Sequence, residues 1–154
     1  FITIYIDNSD IIPCTIQAGK SKLTSAGYIM RNCWRDLPKH YPNCRLDAFI
    51  IMPTHVHGII QLRSADEADA SNKLLVRAGL KPAPTFSDIQ KSYSLSEIIR
   101  GFKTFSARRI NTYLNQTGTK IWQRNYYDHI IRNDAALARI RYYIEANPAN
   151  WKRW

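Results

Sequence analysis

Cysteine is scarce in this 154-residue chain and poorly spaced for chemistry. Cys14, Cys33 and Cys44 form an odd set with no C-x-x-C step, which argues against a disulfide framework and a zinc knuckle and fits a reducing cytoplasm. Long apolar runs are missing too: none approaches the roughly 20 residues of a membrane span. No basic start followed by an apolar stretch and small residues marks a signal peptide. Acidic residues are also in short supply, with 12 Asp and Glu against 22 Lys and Arg, a formal net charge of +10. That balance favours a polyanionic partner, because each cation placed near a phosphate releases condensed counterions. Charge alone names none.

The hydrophobic fraction of 45% is enough for one domain with a substantial core, expected over residues 1–154. Phe1 to Ile6 alternates and reads as a strand already under way, so a preceding piece is expected; Ile11 to Ile16 reads as a second strand. From Thr24 to Leu37 apolar residues fall three and four apart, the stripe of a helix that Pro38 should stop. Arg45 to Leu62 reads as two strands flanking Met52-Pro53-Thr54, since proline demotes a continuous strand. Residues 63–93 are polar and Ala/Pro-rich and read as a long loop or insertion. Ser94 and Glu97 have the spacing of a capping box ahead of a helix to about Leu114, with a core stripe of Leu95, Ile98, Ile99, Phe102 and Phe105. Ile121 to Arg132 reads as a strand, and Asn133 and Asp134 cap a last helix to Asn147, buried through Leu137, Ile140 and Ile144. This order predicts an α+β fold, an antiparallel sheet with helices packed on a face.

His55-Val56-His57 is the sharpest local feature. Residues two apart on a strand point to the same face, so both imidazoles can reach one cation. Gly58 follows, and apolar flanks on both sides place the pair on a core strand. On the last helix, Tyr143 and Asn147 are four apart and share a face, offering a phenol and an amide oxygen. Periodicity leaves Tyr142 and Tyr143 both open as the nucleophile.

The strings LDAFIIMPTHVHGII, SLSEIIRGFKTFSARRIN, IWQRNYYDHIIRND and IRYYIEANPANW occur in an order that resembles the REP-associated tyrosine transposases, a branch of the IS200-like, single-tyrosine HUH nucleases. The resemblance spans most of the chain. It implies a ferredoxin-like or RRM-like HUH fold, with His55 and His57 as the metal pair, Tyr143 as the nucleophile and Asn147 completing coordination. In insertion-sequence relatives that last position is usually Gln. It also implies Mg2+ or Mn2+, cleavage of single-stranded hairpin DNA through a 5′-phosphotyrosine, no membrane partner, and a cytoplasmic, nucleoid-associated location. Insertion-sequence relatives act as dimers that exchange tyrosine helices; a monomer is the expectation here, as for REP-associated relatives. Two departures are evident: the family has a basic leader and a complete first strand ahead of the point where this chain begins, and its connection is shorter than 63–93.

A phenol is a weak acid, so attack needs a cation or a base, with His129 as the candidate helper. Lys103, Arg108, Arg109, Arg124 and Arg132 are the expected phosphate contacts, and Trp122, Tyr126 and Tyr127 the expected stacking platforms. Competing functions are a non-catalytic nucleic-acid binder of RRM-like shape, a domesticated inactive transposase, and a metal-dependent hydrolase that uses water.

Ala78-Gly79-Leu80-Lys81-Pro82-Ala83 can be encoded as GCC GGC TTG AAG CCG GCC, whose arms GCCGGCTT and AAGCCGGC are reverse complements. The segment therefore reads as a translated copy of a palindromic repeat, tolerated because a loop accepts insertion at small entropic cost. Deleting Leu75 to Thr85 should leave the melting temperature within a few degrees and the His55, His57 and Tyr143 chemistry intact. Loss of folding on deletion would show the segment to be structural, and codons that fail to form the inverted repeat would end the palindrome reading.

Overall fold

Proline cannot donate to a strand ladder, and at Pro53 the chain turns back on itself, with the Met52 amide donating to the His55 carbonyl at 2.8 Å. The computed structural model describes residues 1–63 and 92–151. The strands are β1 (Ile2–Tyr5), β2 (Cys14–Gln17), β3 (Lys20–Leu23), β4 (Cys44–Ile51), β5 (His55–Leu62) and β6 (Tyr127–Asp128). The helices are α1 (Ser25–Arg35), α2 (Leu37–His40), α3 (Leu95–Tyr113) and α4 (Asp134–Ala146). Four strands form one sheet in the order β4-β5-β1-β6, with every pairing antiparallel; β2 and β3 form a separate hairpin. The expected α+β architecture is the one observed.

Each long helix begins on a cap that its sequence specifies. Thr24 accepts from the Gly27 amide, Asn133 from the Ala136 amide, and Ser94 and Glu97 form both halves of the capping box. Period-two alternation then divides β1 and β5 between two faces. Ile2, Ile4 and Val56 point into the core under α1 and α3, where Trp34 stacks on Phe49 at 4.3 Å and meets Phe102 edge-on at 5.5 Å. Thr3, His55 and His57 point to the opposite face. Gly58 returns to the core side, and a Cβ there would lie 2.6 Å from the Trp34 ring.

Several local expectations need correction. The second strand begins at Cys14, not Ile11; Ile11 is a core residue ahead of it. The strand β3 has no apolar run to announce it and is made by its turn, where Ala18 (φ 48) and Gly19 (φ 69) both take positive φ, as a two-residue hairpin loop demands. Pro38 lies inside α2 rather than ending α1, because proline is tolerated in a first helical turn whose N–H groups lack partners. Residues 121–132 are not one strand: they pair in pieces, through an isolated Ile6–Trp122 bridge, the two-residue β6 and a Phe1–His129 backbone pair. Phe105 is exposed and Ser106 and Ile110 are buried in its place. On α4 only Ile144 is buried. The inner part of the 63–93 loop, including Ala78 to Ala83, lies outside the described residues.

Gly58→Ala should cost about 1–3 kcal/mol, since a rigid indole must move to admit the methyl group. Denaturant midpoints of the two proteins check this, and an unchanged midpoint would show that the Trp34 ring yields freely.

Candidate active site

Antiparallel register places Thr3 opposite His57 and Tyr5 opposite His55 on the non-core face of the sheet. The two imidazoles approach with Nε2 atoms 3.1 Å apart. Each Nδ1 is held from behind by a threonine hydroxyl, His57 by Thr3 at 2.9 Å and His55 by Thr54 at 3.1 Å. Hydroxyls that accept from Nδ1–H leave the Nε2 lone pairs free to ligate, the usual outer arrangement behind metal-binding histidines. Both rings are buried. Burial lowers the His55 pKa, and burial first, then the neighbouring His55, pushes His57 down to about 4. Both imidazoles are therefore neutral at pH 7, the form a cation requires.

Helix α4 delivers the third group. The Tyr143 hydroxyl lies 3.4 Å from His57 Nε2, and the Phe1 ring packs 5.3 Å from His57 and edge-on to Tyr143 at 6.1 Å. Tyr143 is 50% exposed, whereas Tyr142 is 73% exposed and makes no ring contact or hydrogen bond with the pair. The geometry thus separates two tyrosines that periodicity left equal. What orients α4 is Ile144 beneath it and a two-pronged ion pair from Arg141 to Asp47 on β4, with Arg141 Nε 2.9 Å from Asp47 Oδ1. This hydrogen bond holds the Asp47 carboxyl below its ordinary range. Asn147 is the C-terminal cap of α4, partly buried and one turn beyond Tyr143. Among the described residues no three His, Cys, Asp or Glu side chains converge on a common point.

The expected DNA contacts divide. Trp122 is 5% exposed, packs on Phe102 and donates Nε1–H to Ser106 at 2.9 Å, so it is a core residue and no stacking platform. Lys103 is spent on structure: its ammonium donates to the carbonyls of Gln123, Arg124 and Asn125 at 2.6–3.1 Å, and burial lowers its pKa. Arg109 sits between helices, 3.6 Å from Asp36 and 3.5 Å from Cys33. Tyr126 packs against the core with its hydroxyl 3.0 Å from Ser96. Arg108, Arg124, Arg132 and His129 are exposed. Tyr127, 71% exposed, stands on the site face, edge-on to Tyr5 at 6.0 Å. Sequence reasoning missed Thr3, Thr54 and Asp47. Thr54 adjoins His55 in the chain, but Thr3 and Asp47 become visible only once register and helix docking are known.

Residues 85–147 match the sequence model of the family described as Transposase IS200 like. A Haemophilus influenzae protein described as uncharacterized is 33% identical over 156 residues, covering 99% of this chain and 81% of its own length. Over residues 85–147 the chain is therefore similar to the IS200-like transposases. A second Haemophilus influenzae protein, whose name assigns it to the REP-associated tyrosine transposases, is 30% identical over 129 residues, 84% of this chain. The chain spans only 62% of that relative's length. A solved structure of a REP-associated tyrosine transposase bound to a REP hairpin shares the fold, with a TM-score of 0.56 and 18% identity over 97% of this chain and 65% of that one. The family match takes in Tyr143 and Asn147 and begins after His55 and His57.

Because the His57 pKa lies below its ordinary 6.5 in the folded protein, the unfolded chain binds more protons between about 6.5 and about 4. Stability of the metal-free protein should be full above 6.5 and fall as the pH drops toward 4. Urea titrations in EDTA at several pH values check this. In His57→Gln the slope over that interval should flatten, and an equal slope in both proteins would mean other groups carry it.

Proposed function

We propose that the chain is a DNA endonuclease and strand transferase that opens single-stranded hairpin DNA through Tyr143, assisted by a divalent ion. The observation that carries this reading is the placement of the Tyr143 hydroxyl 3.4 Å from His57 Nε2, which itself lies 3.1 Å from His55 Nε2. A phenol has no structural need for a neutral, hydroxyl-backed imidazole pair, whereas a phosphoryl-transfer site needs both. The substrate class is carried over from the solved neighbour, which holds a REP hairpin, and agrees with a net charge of +10.

His55, His57 and Asn147 would hold Mg2+ or Mn2+, ions that accept a mixed nitrogen and oxygen shell. When bound, such an ion supplies charge neutralisation at a non-bridging phosphate oxygen. The remaining work falls to the protein. The Tyr143 oxygen forms a bond to phosphorus as the bond from phosphorus to the 3′-oxygen breaks; the departing oxygen takes up a proton and the phenolic proton passes to water, which reaches this half-exposed side chain. The product is a 5′-phosphotyrosine and a free 3′-hydroxyl. One phosphoester replaces another, so a returning 3′-hydroxyl can reverse the step without ATP. Thr3 and Thr54 set the imidazole tautomers, and Arg141 with Asp47 keeps α4 in register with the pair.

Incubation with a hairpin oligonucleotide and Mn2+ should give a covalent protein–DNA adduct. Tyr143→Phe should lower its yield on the order of a thousandfold or more while leaving hairpin binding largely unchanged, and Tyr142→Phe should still form it. His57→Ala should abolish cleavage and weaken Mn2+ binding. Full activity in EDTA would sink the metal assignment, and hairpin binding by the wild-type chain with no adduct would make it a binder.

A further inference from the structure

A cavity of about 560 Å3 opens beside the histidine pair, between residues 6–15 and the turn that joins β4 to β5. It is joined to the site by two residues. Thr54 lines it and holds His55 Nδ1 at 3.1 Å, and Trp151 lines it with its ring 6.0 Å from the His55 ring. Its walls are mainly apolar, formed by Ile11, Ile12, Pro53 and Trp151. Ile12 is 55% exposed, an apolar surface left to water. The cavity's polar side chains are Asp7, Asn8 and Ser9 along one stretch, with the hydroxyls of Thr15 and Thr54. Asp7 pairs with Lys120 at 3.0 Å and can only accept further hydrogen bonds; Asn8 Oδ1 already accepts from the Asp10 amide, which leaves its amide hydrogens to donate.

An apolar slot with an indole wall and a few polar groups has the chemistry that receives an unstacked base. We propose that this cavity takes the nucleobase adjoining the phosphate that Tyr143 attacks, stacking it on Trp151 and Ile12 and meeting its polar edge with Asp7 and Asn8. This rests on the reading of Tyr143 and the histidine pair given above. A strand whose phosphate lies at the imidazoles has its neighbouring base one nucleotide from the slot, so the cavity selects the position of cleavage as well as binding the strand.

The test uses the whole chain carrying Tyr143→Phe, which binds without cutting, and a REP-type hairpin oligonucleotide with single-stranded tails. Abasic sites are placed one at a time along the tails, and 2-aminopurine is placed at the same positions in a second series. One position should stand out, with binding weakened about tenfold by loss of the base and the 2-aminopurine emission altered on binding. Adding Ile12→Asp should weaken the intact oligonucleotide by a similar factor and erase the penalty at that position alone, and Trp151→Ala should act in the same direction. Small, even effects along the tails, or a penalty that persists unchanged in both variants, overturn the proposal. Adduct formation by the wild-type chain on the same oligonucleotide is scored separately. An adduct without a singular base position overturns the cavity assignment alone, whereas absence of both adduct and hairpin binding overturns the nuclease reading with it.

Discussion

The antiparallel pairing of β1 with β5 is the constraint on which the site depends. With Ile2 opposite Gly58 and Thr3 opposite His57, Ile2, Ile4 and Val56 face the core while Thr3, His55 and His57 face outward. A slip of one residue would move every side chain of a strand to the other face, burying imidazoles against Trp34 and exposing isoleucines. The same register supplies the Thr3 hydroxyl to His57, so the hydrophobic pattern that fixes the fold also sets the histidine tautomer.

The tyrosine is held more lightly than the histidines. Helix α4 buries Ile144 alone, where a fully buried aliphatic side chain contributes roughly 1.5–3 kcal/mol, and it adds the partly exposed ion pair of Arg141 with Asp47. Exposed ion pairs are screened by solvent and contribute little. Tyr143 thus sits on a helix with one fully buried and several half-buried side chains, while the histidines sit on a strand whose neighbours enclose it on both sides. The lighter attachment suits the role proposed for Tyr143, which would reach a phosphate and later release it.

Positive charge is likewise divided between structure and surface. Lys103 fastens the segment 123–125 to α3, and Arg109 fastens α3 to α1 through Asp36. Counting them as DNA contacts from sequence would overstate the surface available to phosphate. Arg108, Arg124 and Arg132 are exposed.

Elements with a local cause were legible in the chain alone. Helix α1 announces itself through its apolar stripe, and α3 and α4 through the caps Ser94 with Glu97 and Asn133, because capping and period act within a few residues. The β4–β5 pair around Pro53 and the shared face of His55 and His57 follow from the same short-range geometry. Strand β3, the broken stretch 121–132, the burial of Trp122 and the approach of Tyr143 rather than Tyr142 to His57 were decided elsewhere. Each depends on what comes to lie opposite: a turn with two positive φ values, a sheet edge occupied by β1, a serine on α3, an imidazole on β5. Periodicity states which residues share a face, and only packing between elements distant in the chain determines what that face meets.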